Sequence, residues 1–259
     1  MMTIRATFSS TTMRAAVIGL LILTASCGSG SDDAADDTGD SSPSSTDTTT
    51  DSPTTAAPPS TPGSSSTTPG DAELEQPAIW PAASVAFATP EEAAADFVTK
   101  VLLVPAVLGT FRQGDSRSGE IEVLMRGEGG IDRRIFRSLL LLRQLGSDNG
   151  WFVLAAVNEN ASITLPESGS EVSAGSVDIE GVARGYEATV TVAAYLAGSD
   201  EPIDQVLTSG GSLDDPEPFS VSLDLSGTEE GDVVSIVVRG DTGLETDPGD
   251  FGAISLVIG

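Results

Sequence analysis

The chain has 259 residues, room for one large domain or two small ones. Its 39 acidic and 12 basic residues leave a net charge of −27, which opposes binding to nucleic-acid phosphates. With no histidine and one cysteine, it offers no disulfide framework, no cysteine–histidine metal cluster and no histidine-based triad, and no cofactor is expected.

In chain order, Arg5 and Arg14 accompany a nine-residue apolar run at 15–23, too short to cross a bilayer but suited to a secretory signal. The stretch "LTASC" that follows, ending at Cys27, resembles the bacterial lipobox, with its leucine one place earlier than usual. That resemblance implies a lipoprotein signal over residues 1–27, diacylglycerol on the Cys27 sulfur, and anchoring at the extracytoplasmic face of the cell membrane. Two acyl chains hold stably where one holds marginally.

Residues 28–70 contain no Val, Ile, Leu, Met, aromatic, Lys or Arg and seven Asp, so nothing there offsets the entropy of ordering. A disordered Ser/Thr/Pro/Asp-rich tether is expected over residues 28–84. Flexible-coil statistics give its first 43 residues a span of roughly 35 Å. The stretch 71–84, with Ile79 and Trp80, reads as a transition onto the folded part.

Residues 85–160 read as a small α+β domain. Thr89-Pro90-Glu91-Glu92 is a helix start with a capping box and proline at the first position. Ala93, Phe97, Val101 and Val104 follow at helical spacing before Pro105. Alternation at Ile121, Val123 and Met125, then "RSLLLLRQL" and "WFVLAAV" joined by "GSDNG", predicts an antiparallel sheet with a hairpin. Eight basic residues fall here: Lys100, Arg112, Arg117, Arg126, Arg133, Arg134, Arg137 and Arg143. Arg133, Arg134 and Arg137 are the candidate site for an anionic ligand. The plainer reading is local pairing with Glu120, Glu122, Glu128 and Asp132.

From 161 to 259 short strands recur about every ten residues: "SITL", "SVDIEGVA", "EATVTVAAYLA", "IDQVLTS", "FSVSLDL", "VVSIVV" and "GAISLVI". Seven strands with one apolar face each predict an antiparallel β-sandwich. Pro166 and Gly169 before Val172, Gly181 and Ala183, Tyr186-Glu187 opening a strand and Pro218-Phe219 in another carry a resemblance. This segment resembles the immunoglobulin-like domain of bacterial spore germination proteins. The resemblance implies an immunoglobulin-like sandwich serving as a non-catalytic adhesive or scaffolding module. Tyr186 and Glu187 are its residues of interest, Glu187 either accepting backbone N–H bonds from a nearby loop or facing a recognition surface.

Short motifs carry less. Arg239-Gly240-Asp241 spells an adhesion tripeptide and Asp241-Thr242-Gly243 an aspartic-protease signature, which lacks a second such loop. Asp241, Glu245, Asp247 and Asp250 offer oxygens for calcium without the spacing of a calcium loop, so an acidic surface loop is expected. The whole reads as a mainly β, non-enzymatic envelope lipoprotein with no catalytic residues and no metal site. Its expected partners are the membrane, through the lipid on Cys27, and an envelope protein or wall polymer. An anionic-ligand or solute-binding lipoprotein using the 100–143 region is the alternative, and a carboxylate-based glycan hydrolase a more remote one.

Overall fold

The computed structural model describes residues 74–127 and 133–259. The expected signal peptide, lipidated Cys27 and the tether through residue 73 lie outside the described residues. Helix α1 (Pro90–Lys100) starts where the capping box places it. Thr89 Oγ1 accepts from the Glu92 N–H at 3.3 Å, and Glu92 Oε2 accepts from the Thr89 N–H at 3.2 Å. Acidic Glu91 and Glu92 sit in its first turn and Lys100 in its last, both favourable to the helix dipole. The helix stops at Val101, ahead of Pro105, because Leu103 turns the backbone left-handed at φ 58°. A Thr89→Ala chain is expected to lose about 1 kcal/mol, read as a lower urea midpoint at unchanged slope.

Strands β1 (Arg112–Gln113), β2 (Ser118–Arg126), β3 (Arg134–Leu145) and β4 (Gly150–Val157) form an antiparallel meander. The "GSDNG" hairpin closes with left-handed Gly146 and Asn149 at φ 69° and 52°. Then come β5 (Ala161–Leu165), β6 (Glu171–Val172), β7 (Ser176–Ala183) and β8 (Thr189–Leu196). β9 (Pro202–Ser209), β10 (Glu217–Asp224), β11 (Val233–Gly240) and β12 (Phe251–Ile258) complete the chain. Each of the seven strands read between 161 and 259 is present, within a residue or two at its ends. The two-residue β1 and β6 are additions.

The strands make two sheets. One runs β1-β2-β3-β4-β12-β11-β8-β9 with β6 parallel to β12, and the other is β10-β7-β5. All other pairings between these strands are antiparallel, so the described chain is mainly β as expected.

Two apolar cores lie on opposite faces of the large sheet. On one face, Val190, Val192 and Ala194 of β8, Val234, Ile236 and Val238 of β11, and Leu256 and Ile258 of β12 meet Ile179, Phe219 and Leu223 of the small sheet. On the other, Ala193 and Tyr195 of β8, Val237 of β11, and Phe251 and Ala253 of β12 join the core under α1, with Phe97, Ile121, Leu140 and Val153. Strands β8, β11 and β12 are therefore buried on both sides, which corrects the expectation of one apolar and one polar face.

The break expected at residue 160 also gives way. The large sheet crosses it through Ala156 of β4 and Ala253 of β12, and the described residues fall in one compact unit. The folded body begins before residue 85. Residues 78–81 form a strap in which Ile79 is 1% and Trp80 3% exposed. The Ile79 N–H donates to the Val153 carbonyl at 2.9 Å, and the Val153 N–H donates to the Trp80 carbonyl at 2.7 Å. The Trp80 indole donates to Asp96 Oδ2 at 3.1 Å and stacks edge-on to Phe97. The strap also crosses Gly198, whose amide donates to the Ile79 carbonyl. Its φ of 79° and the Ala82 nitrogen 2.0 Å from where a Cβ would stand leave no room for a side chain.

Candidate functional site

The basic residues of the 100–143 region are largely committed. Lys100 pairs with Asp96 and lies over the Trp80 ring, Arg112 pairs with Glu120 and Glu122, Arg117 with Glu75, and Arg143 with Asp115. The local pairing expected for Glu120 and Glu122 is thus observed. Of the three arginines nominated for an anion, Arg137 is already held by carboxylates. Arg133 and Arg134 are exposed at the start of β3, whereas the Arg137 side chain is only 15% exposed and engaged with two carboxylates.

Those carboxylates come from the loop between β11 and β12. Arg137 holds Asp247 through both carboxylate oxygens, Nε to Oδ1 at 2.8 Å and Nη2 to Oδ2 at 2.5 Å. Its Nη1 reaches Asp250 Oδ1 at 3.5 Å. Asp250 Oδ2 accepts from Arg184 Nε, at the end of β7, at 2.8 Å. Asp247 is 1% and Asp250 7% exposed. Two arginines and two aspartates balance charge for charge, and bidentate geometry makes the Arg137–Asp247 contact strong. The acidic surface loop that the sequence suggested is therefore half core. Asp241 and Glu245 are exposed, Asp247 and Asp250 hold arginines, and no group of three or more metal-ligating side chains occurs among the described residues.

Arg239 completes the junction. Its Nη1 donates to the Leu102 carbonyl at 3.0 Å and its Nη2 to the Asp247 carbonyl at 3.1 Å. Burial lowers its pKa, against the fields of Asp241 and Asp247, and burial raises that of neighbouring Tyr195. With the guanidinium turned inward, the adhesion tripeptide at 239–241 is not presented. Asp241 accepts from the Gly243 N–H within its own turn at 2.9 Å, an ordinary turn contact.

Beside this junction, Tyr186–Ala188 forms a short 3-10 turn in which Glu187 and Ala188 are left-handed at φ 53° and 58°. Two consecutive non-glycine residues in that region store strain of about 1–3 kcal/mol each. Neighbours hold the turn in place. The Tyr186 N–H donates to the Asp241 carbonyl at 2.6 Å, and the Gly210 N–H donates to the Ala188 carbonyl at 2.9 Å. Tyr186 is 48% exposed, and its ring lies 3.5 Å from where a Cβ on Gly243 would stand. The Glu187 carboxylate is exposed and accepts no backbone N–H among the described residues, so of its two expected roles the outward-facing one fits.

Sequence reasoning named Arg137, Asp247 and Asp250 separately but missed their union, and it missed Arg184 in this role. Separations of 110 and 113 residues leave no local pattern to find. A shallow, open depression elsewhere is lined by Phe87, Glu92, Ala95, Asp96 and Thr99 of α1 and its approach. No protein-family model matches the chain, and no curated protein or solved structure matches it.

Proposed function

We propose that this protein is a non-catalytic binding or scaffolding module of the cell envelope, anchored at the membrane by diacylglycerol on Cys27. The observation that carries the reading is the strand order of the second half. β5-β7-β10 packs on β6-β12-β11-β8-β9, an order that supports reading the second half as the A-B-E over A′-G-F-C-C′ layers of an immunoglobulin-like sandwich, with β6 as the short parallel A′ beside G. It agrees with the resemblance of residues 161–259 to the immunoglobulin-like domain of spore germination proteins. In such a sandwich the turns after β7 and β11 share one end, and here they meet through Tyr186 and Asp241. That end carries exposed Tyr186 and Glu187, an aromatic with a polar handle beside a carboxylate, which suits recognition of another surface.

The alternative of an anion-binding lipoprotein is weakened by Arg137, whose guanidinium is occupied by Asp247 and Asp250. A glycan hydrolase needs one carboxyl free to give a proton and one free to attack or activate water. Asp247 and Asp250, the adjacent buried pair, are each held by arginine instead. No helix among the described residues is long and apolar enough to cross a membrane.

The expected result in intact cells is that the parent chain partitions into detergent and a Cys27→Ser chain does not. A photo-crosslinker at position 186 is expected to give discrete adducts with an envelope component. Unchanged partitioning, or hydrolysis of wall glycan by the purified chain, overturns the proposal.

A further inference from the structure

The two sheets differ in width, and the difference leaves a step. The small sheet covers one face of β8, β11 and β12. The same face of β2, β3 and β4 carries no second layer among the described residues, apart from the Phe152 end, where Ala78 and Leu74 pack. Register sets Glu122, Leu139 and Val157 in one row across this face and Glu120, Leu141 and Ala155 in the next. These positions alternate with Ile121, Leu140 and Ala156, which point into the core under α1. Leu139, Leu141 and Ala155 are half-buried and Val157 is 50% exposed, yet none of the four belongs to an apolar core.

The riser of the step is β5. It pairs with β7 on one side and has no strand on the other among the described residues. It follows β4 directly through the corner at residues 158–160, where Asn158 donates to the Arg137 carbonyl and accepts from the Asn160 N–H. An open strand edge therefore stands beside an apolar floor, and Leu165 near its end is 51% exposed.

We infer that this step docks an extended segment of another protein, bearing lysine or arginine between apolar residues at alternate positions. The segment adds as a strand to β5 and lays its apolar side on Leu139, Leu141 and Val157. An open edge offers a row of unpaired N–H and C=O groups, and an extended strand presents every second side chain to one face. Charge selects the occupant. Exposed Glu159 and Glu167 flank β5, Glu120 and Glu122 at the border of the floor are already paired with Arg112, and the net charge of −27 attracts a cationic strand and repels a second copy. The chain's own residues 28–73 contain no large apolar side chain to fill the floor. The open edge at β9 begins with Pro202, and its exposed Leu207 is not part of a comparable apolar row. This inference rests on the binding-module reading and names its partner class.

The test titrates the full, isotope-labelled chain with a synthetic peptide of alternating lysine and valine, followed by NMR. Backbone shifts are expected at 139–141, 155–157 and 161–165. Val157→Lys, at a half-exposed position, is expected to keep the parent melting temperature while weakening binding about tenfold. Shifts elsewhere, no binding, equal affinity of the Val157→Lys chain, or equal affinity for a glutamate–valine peptide overturns the inference. So does self-association through these residues in sedimentation. In intact cells, photo-crosslinkers at positions 157 and 186 separate the two proposals. Adducts at 186 alone overturn the step and keep the binding module, and adducts at neither overturn both. An adduct from 157 to a basic, alternating segment supports the step.

Discussion

An Arg137→Ala chain is expected to lose about 3–5 kcal/mol of stability, because removing one partner of a buried ion pair leaves its counterpart uncompensated. The carboxylate of Asp247, a residue 1% exposed, then keeps the Gly249 amide and only the field of Arg239, whose guanidinium bonds the Asp247 carbonyl instead, and Asp250 keeps only Arg184. At roughly 2–4 °C per kcal/mol for a body of this size, the melting temperature falls by about 10 °C. Replacing both partners, as in Arg137→Met with Asp247→Leu, is expected to recover most of that loss, since the cost lies in stranding a charge rather than in losing an attraction. Thermal melts of the parent, single and double variants check this. A single variant that melts with the parent refutes a structural role for the network.

The second large effect concerns the sandwich alone. Expressed without the preceding residues, 161–259 exposes Ala193, Tyr195, Val237, Phe251 and Ala253, which in the whole chain face the core under α1. The fragment is expected to self-associate and bind a hydrophobic dye, checked by sedimentation and fluorescence. In the full chain, Phe251→Ala is expected to cost about 3–5 kcal/mol for the same reason, since its ring is fully buried. A fragment that is monomeric, dye-free and cooperative in melting overturns the account of a sheet buried on both faces.

The helix and the strands were legible because their signals are local. Thr89 and Glu92 are three residues apart, and the two-residue rhythm of Phe219, Val221 and Leu223 needs no partner to be seen. What joined them was not. One pairing, Ala156 with Ala253, carries the sheet across the boundary suggested at 160, and a pair of alanines gives no signal in either strand. The second buried face was visible in part, because Ala193 and Tyr195 break the polar side of β8, and Val237 that of β11. Those apolar intrusions are what a strand covered on both sides leaves in its sequence. The arginine–aspartate network stayed hidden because charged residues read as surface until the fold encloses them. Tyr186 and Glu187 were found through a family resemblance, and their left-handed turn had no local cue such as glycine or asparagine at 187 or 188.

The strap at 78–81 has a mechanical consequence. A pull arriving from the N-terminal side reaches Leu74 and Glu75 first, where the Glu75 carboxylate takes the Gly146 N–H at 2.8 Å. The load then passes to the two bonds between the strap and Val153, and to an indole wedged beneath α1. Tension along the chain is thus delivered to the roof over the first core, while the small sheet on the opposite face stays out of the line of force. The roof is the element expected to yield first.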